Sequence, residues 1–182
     1  MIGSNQTKQK ISKADAIRRE IDMAIKLLFF NEDPIGIHLI VAAAFRLVCD
    51  LSNKNSDSFI NEHLDALIKP ERKNEFFKIT NRYVNFFKHA DKDPYAVLEE
   101  FDEELSDILL FLNCFAYQDL GCSPTKRMNL YILWFSALNP EFLKPDSSFD
   151  SIFGSDIFSA VHSSTRQDKI EIGASIFKNQ NL

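Results

Sequence analysis

Four polar or charged residues recur at intervals of three and four in the middle of the chain: Lys78, Arg82, Asn85 and His89. An α-helix turns about 100° per residue, so these side chains would share one face of a helix. The opposite side would be apolar and carry Phe76, Tyr83, Phe86, Phe87 and Ala90. We therefore expect an amphipathic helix that presents cations, an amide and an imidazole on one strip.

This combination of groups suits chemistry on a phosphodiester. A guanidinium makes planar, two-pronged contacts to phosphate, so Arg82 would bind phosphate and stabilise its developing charge. An imidazole titrates near neutral pH, so His89 would act as acid or base, with Asn85 and Lys78 supporting substrate binding. Metal-free RNA cleavage needs both an acid and a base, whereas one strip offers one histidine. A second copy of the chain across a two-fold axis would supply the other.

The same segment has simpler interpretations. The strip could be an ordinary solvated helix face, with His89 bonding the last carbonyls of the helix. His89, Asp91 and Asp93 could hold a divalent ion, but Asp93 before Pro94 favours capping of a following helix. We therefore expect neither a metal site nor a cofactor. After the Asp93-Pro94 signal, residues 95–100 could form one helical turn or an extended segment.

Other catalytic signatures are missing from the sequence. It contains no glycine-rich phosphate loop, no His-Glu-x-x-His, no Cys-x-x-Cys and no Gly-x-Ser-x-Gly. His38 lies in a strongly apolar segment and is predicted to be a core imidazole bonded to a backbone or aspartate partner. His63 and His162 are predicted at the surface, and Cys49 and Cys114 as small buried hydrophobic residues.

Composition limits the class of protein. The chain has 182 residues, 45% of them hydrophobic, with 17 Phe but only 5 Gly and 6 Pro. This composition, with long periodic segments, predicts one all-α domain. A net charge of −5 argues against a protein that coats nucleic acid through bulk positive charge, but it permits a local basic site.

The compartment is also predicted from composition. Three cysteines at unpaired spacings suit a reducing environment. The polar N-terminus lacks the apolar core of a secretory signal. The apolar runs look shorter than the roughly 18 residues of a membrane span. We therefore expect a cytoplasmic protein that does not enter a membrane.

The pattern along the chain predicts a compact helical bundle of six to eight helices. Start and stop signals include Ser12 with Asp15, Asp33 before Pro34, and Gly121. The expected helices cover about residues 13–30, 34–51, 58–69, 70–89, 103–120, 124–138 and 167–177. We expect residues 1–11 to be a disordered N-terminus, 12–140 to form the helical domain, and 141–182 to be a C-terminal appendage packed on it, partly by Phe149, Phe153 and Phe158.

The spacing Arg82-x6-His89 on a late helix resembles the Arg-x4–6-His motif of the HEPN superfamily. The string from Asn85 to Pro94, Asn-Phe-Phe-Lys-His-Ala-Asp-x-Asp-Pro, also resembles a pattern in a group of uncharacterised bacterial proteins. HEPN proteins are helical, often dimeric, and occur in ribonuclease toxins and antiviral systems. The resemblance implies a HEPN-like homodimer that acts in stress or defence as a metal-independent endoribonuclease, or as an RNA- or nucleotide-binding module. Tyr83 departs from the superfamily, which often has Asn, Asp or His after the arginine.

A different class of function uses another part of the chain. The Phe-rich C-terminal region, residues 141–182, could bind a protein partner without any enzymatic activity. In that case the Arg82 strip would have no role in function.

Overall fold

The computed structural model describes residues 9–52, 73–91, 93–139 and 164–179. Within these ranges the chain forms six α-helices and no strand, which confirms the all-α prediction. The helices are α1 (Lys13–Phe29), α2 (Pro34–Ser52), α3 (Lys73–Lys88), α4 (Glu104–Asp119), α5 (Lys126–Leu138) and α6 (Arg166–Asn179). The helix expected at 58–69, the packing expected for Phe149, Phe153 and Phe158, and the surface positions expected for His63 and His162 lie outside the described residues.

The predicted helix signals explain where the first two helices begin. Ser12 Oγ accepts a hydrogen bond from Asp15 N at 3.0 Å, and the Asp15 carboxylate accepts one from Ser12 N, which completes a capping box. Asp33 Oδ1 accepts from Ile35 N at 2.9 Å, and Pro34 is the first residue of α2. These local signals were therefore sufficient to place both helix starts.

Both ends of α4 lie within one residue of the predicted positions, whereas the start of α5 does not. Asp102 Oδ1 accepts from Glu104 N at 2.9 Å where α4 begins, and Gly121 follows α4 with a φ of 76°. Helix α5 begins at Lys126 rather than at residue 124, because Thr125 is its cap. Thr125 Oγ1 accepts from Met128 N at 3.2 Å and also donates to Asp22 on α1, so a tertiary contact fixes the start of α5.

The core lies between α1, α2 and α4, which pack against one another. Helix α3 packs on α2, while α5 and α6 pack on α1 and on each other. The largest fully buried side chains come from several of these helices: Tyr131, Phe177, Ile17, Ile21, Ile25, Leu28, Leu109, Leu110 and Met128. Tyr131 satisfies its hydroxyl inside the core by donating to the Asp107 carbonyl at 2.9 Å.

Helix α2 was predicted at about residues 34–51 and is found at Pro34–Ser52. It contains an 18-residue window with a mean hydropathy of 1.8, which is long and apolar enough for a membrane span, so the expectation that the apolar runs are shorter than this was wrong. The central helix of a water-soluble fold passes the same test. Here α1, α3 and α4 all contact α2.

Helix α6 is joined to the bundle by polar and apolar contacts. Arg166 donates two hydrogen bonds to the buried Asp107 carboxylate, at 2.7 and 3.0 Å, and a third to Glu103. Trp134 Nε1 donates to the Lys169 carbonyl at 2.9 Å. Burial raises the pKa of Asp107 although the Arg166 guanidinium opposes that shift, so the pair depends on both partners remaining in place.

Gly173 allows α6 to approach the aromatic core closely. A Cβ at this position would collide with the Phe29 ring and lie 2.7 Å from Trp134 Nε1. We predict that Gly173→Ala lowers the free energy of unfolding by about 1–3 kcal/mol, the usual cost of overpacking, in urea denaturation.

Gly36 provides the matched control for this substitution. It also lies in a helix, but a Cβ there would have no neighbour within 4 Å. Gly36→Ala should be neutral or stabilise the protein by up to about 1 kcal/mol. Equal effects of the two substitutions would show that the close approach of α6 to Phe29 is not a packing constraint.

Candidate functional site

Helix α3 is amphipathic, as the sequence predicted. Thr80 and Tyr83 are buried, and four half-buried side chains pack against the core: Phe76, Phe77, Ile79 and Phe87. The Phe77 ring stacks on Phe45 of α2, with the ring centroids 6.1 Å apart. Two expected members of the apolar side are absent from this contact, since Phe86 lines a surface depression and Ala90 is exposed beyond the helix end.

The predicted polar strip is exposed along its whole length. Arg82, Asn85 and His89 line one open depression with a volume of about 690 Å³, whereas Lys78 does not line it. Helix α3 ends at Lys88, but His89 N still donates to the Asn85 carbonyl at 3.0 Å, so His89 keeps its helical position. Three of the four predicted site residues therefore meet at one surface.

The three side chains are available to a ligand. In the described part of the chain, the side chains of Arg82, Asn85 and His89 form no hydrogen bond or ion pair. In particular, the imidazole of His89 does not bond the last carbonyls of α3. Because these donors are exposed and uncommitted, an anion entering the depression would not have to displace a protein partner.

The segment around Asp93 and Pro94 differs from the prediction that it caps a helix. Asp93 and Pro94 do not start a helix, because the chain there forms a turn in which Ala96 N donates to the Asp93 carbonyl at 2.9 Å. Asp91 and Asp93 line the depression instead of capping a helix. Among the described residues, no cluster of His, Cys, Asp and Glu has an arrangement that would hold a metal ion.

The rest of the lining consists of residues that the sequence did not associate with the strip. Phe86 lines the depression from α3, and Ala96, Val97 and Leu98 line it from the segment after the turn. The sequence signal that could have identified them is weak, because a short apolar run before an acidic stretch is common. The depression therefore combines a cationic strip, two carboxylates and an apolar edge.

Tyr83 links the strip helix to this segment. Its ring is buried and its hydroxyl accepts from Asp102 N at 3.1 Å. The Phe101 ring lies against it, with centroids 5.1 Å apart. The residue after Arg82 thus points into the core and has a structural role, whereas HEPN proteins often place a polar side chain at this position.

His38 lies beneath the same helix and is fully buried. Its Nδ1 is 2.9 Å from Ser106 Oγ, so the expected backbone or aspartate partner was wrong. Tyr83, Phe87 and Phe101 surround its ring, and Nε2 has no hydrogen-bond partner among the residues that the structure describes. Burial lowers the pKa of His38 to about 4, so the ring is neutral at pH 7 and belongs to the core.

A second cavity of about 640 Å³ lies between α2 and α3. Its lining includes the ion pair of Arg46 and Asp50, 3.2 Å apart, and the half-buried Cys49. Burial raises the pKa of the Cys49 thiol to about 11, which leaves it unreactive at neutral pH. Cys114 is fully buried, as predicted.

Comparison of the chain with protein-family models, curated proteins and solved structures found no match. The resemblance to HEPN proteins therefore depends on the Arg82 and His89 spacing and on the helical context.

The buried position of His38 predicts how stability depends on pH. Its folded pKa of about 4 lies below the ordinary value of 6.5. The contribution of neutral His38 to the free energy of unfolding is therefore complete above pH 6.5 and is lost as the pH falls toward 4. Between pH 6.5 and 4, we expect the free energy of unfolding to fall by about 1–3 kcal/mol more in the wild-type protein than in His38→Phe. Urea denaturation at several pH values measures the difference. Parallel pH profiles would contradict a neutral, desolvated His38, because the two proteins share every other titrating group.

Proposed function

We propose that this protein is a HEPN-like ribonuclease that binds RNA in the depression lined by Arg82, Asn85 and His89 and cleaves it without a metal ion. One observation carries this proposal: the three residues share a solvent-exposed depression and have no protein partner in the described residues. The HEPN resemblance adds the expected setting, which is stress or defence.

The proposed reaction uses groups that the chain itself provides. A neutral imidazole removes the proton from the ribose 2′-hydroxyl, and the 2′-oxygen attacks the adjacent phosphorus. The bond from phosphorus to the 5′-oxygen breaks, and that oxygen takes a proton from an imidazolium. The products are a 2′,3′-cyclic phosphate and a 5′-hydroxyl. Arg82 contacts the non-bridging oxygens as their charge develops, and Asn85 orients the phosphate.

Two copies of the chain are needed for this scheme. The described residues place one histidine, His89, in the depression, so one chain provides either the acid or the base. A two-fold homodimer would bring a second imidazole to the same phosphate. The open form of the depression is compatible with this arrangement, because no described element covers the strip.

The charge around the depression limits the size of the substrate contact. Asp91 and Asp93 line it, and the whole chain carries a net charge of −5. Such a surface does not suit a long polyanion bound through many phosphates. We therefore propose that the protein engages a short stretch of RNA around the cleaved bond, with Lys78 contacting a neighbouring phosphate outside the depression.

The alternative of a protein partner bound through residues 141–182 has less support. Ile170, Gly173 and Phe177, from the part of this region that the structure describes, are buried in the core. Their apolar surfaces are therefore not available to a partner in the folded protein, which leaves Ile172 and Ile176 as the exposed large hydrophobic residues of α6.

Cleavage of RNA in the presence of EDTA tests the proposed activity. We expect wild-type protein to generate 2′,3′-cyclic phosphate ends, and His89→Ala to lower the rate about 100-fold or more because it removes the acid and base. Arg82→Ala should have an effect of similar size, and Lys78→Ala a smaller one. Arg19→Ala, an exposed arginine on α1, is the matched control and should leave the rate unchanged. Activity that needs added metal, or that survives both substitutions in the strip, would contradict the proposal.

Mixing experiments test whether one site uses both copies. If wild-type and His89→Ala chains exchange freely at equal concentration, we expect the activity per wild-type chain to fall to about half, because half of the wild-type chains then have a defective partner. Light scattering should show a dimer throughout. A strictly monomeric wild-type protein, or unchanged activity per wild-type chain despite exchange, would exclude the two-copy site.

A further inference from the structure

We infer that Tyr95 is a stacking platform for an unpaired nucleobase, so that the substrate is single-stranded RNA. This inference rests on the proposed function, because the base would belong to a nucleotide whose phosphate lies in the depression. We refer to residues 93–98 as the rim segment.

The exposure of Tyr95 is exceptional in this protein. Its side chain is 95% exposed and that of Val97 is 74% exposed, whereas no other large hydrophobic residue in the described ranges exceeds 53%. Tyr95 also forms no hydrogen bond or ring contact within those ranges. An aromatic ring that contributes so little to the fold leaves both of its faces free to stack on another ring.

The rim segment is nevertheless held in place on both sides of Tyr95. The Ala96 amide closes a turn by donating to the Asp93 carbonyl at 2.9 Å. Leu98 is half-buried against the core, and beyond it Phe101 packs against the ring of Tyr83. A stacking residue on a fixed turn loses little conformational freedom when it binds a base.

Tyr95 does not itself line the depression, but it lies between Asp93 and Ala96, which do. The next three residues, Ala96 to Leu98, line the same depression as Arg82 and His89. A phosphate held by Arg82 therefore has its attached nucleoside beside the rim segment. Asp93 lines the depression as well, and its carboxylate would accept hydrogen bonds from the N–H groups of a base, which a phosphate does not offer.

This arrangement favours single strands over duplexes. In an RNA duplex the base faces are stacked on one another and the base N–H groups are paired, so neither is available to Tyr95 or Asp93. Stacking on an aromatic side chain raises affinity about tenfold to a hundredfold per base. For a protein with a net charge of −5, this apolar contribution would supply affinity that phosphate contacts alone do not.

Two probes with equal numbers of phosphates test the inference. The first is a fluorescent single-stranded 2′-O-methyl RNA hexamer, which has bases but no 2′-hydroxyl to react, and the second is its abasic counterpart. We expect wild-type protein to bind the base-bearing probe about tenfold more tightly in fluorescence anisotropy. Tyr95→Ala should abolish this preference without changing the affinity for the abasic probe. Tyr95→Phe, which retains the ring, should keep the preference, and Arg82→Ala should weaken the binding of both probes.

The possible failures are distinguishable. A base preference that survives in Tyr95→Ala, or equal binding of the hexamer and a duplex of the same length, would overturn the stacking role and leave the proposed function standing. If Tyr95→Ala converts a dimer to a monomer in light scattering and weakens both probes equally, Tyr95 is a contact between copies and the inference is wrong. If wild-type protein binds neither probe, the proposed function fails and this inference fails with it.

Discussion

The packing of aromatic rings around His38 fixes the positions of α3 and the rim segment, which together line the candidate site. Tyr83 and Phe87 reach this cluster from α3, and Phe101 reaches it from the chain that follows the rim segment. The hydrogen bond from Asp102 N to the Tyr83 hydroxyl joins the same two parts of the chain. Without this cluster, the polar strip of α3 and the rim segment would have no fixed relation to each other, and the depression between them would not form.

Because of this cluster, the two sides of α3 have different surroundings. Its inner side supplies aromatic surface that the core of α1, α2 and α4 can bury, while its outer side keeps Arg82, Asn85 and His89 in solvent. His38 and His89 show the contrast most clearly. The first is a desolvated, neutral core ring, and the second is an exposed ring that has no side-chain partner in the described part of the chain. One face of α3 is therefore buried in the core, and the other is left in contact with solvent.

The sequence predicted those parts of the site that depend on local spacing. Intervals of three and four residues identified the strip. The apolar intervals identified Phe76, Tyr83 and Phe87 on the buried side of α3, but not Phe77, Ile79 and Thr80. Capping pairs such as Ser12 with Asp15 located helix starts because both partners lie within one turn. The same rules could not decide between a helix and a turn after Asp93, since both begin with an aspartate before a proline.

Tertiary partners were beyond these local rules. Ser106 is 68 residues from His38 in the chain, and Asp22 is 103 residues from Thr125, so neither contact has a sequence signal. The sequence did not show that the rim segment lines the depression, for the same reason. The rim segment is held beside the strip by the packing of Phe101 on Tyr83, which is a tertiary contact.

Nuclear magnetic resonance titration with an unreactive 2′-O-methyl dinucleotide would test most directly whether this depression binds RNA. In amide and histidine side-chain spectra, we predict that the largest shift changes occur at Arg82, Asn85, His89 and the rim segment, with the buried ring of His38 unaffected. Shift changes centred on the separate cavity between α2 and α3, or no changes at millimolar dinucleotide, would contradict an RNA site at this depression.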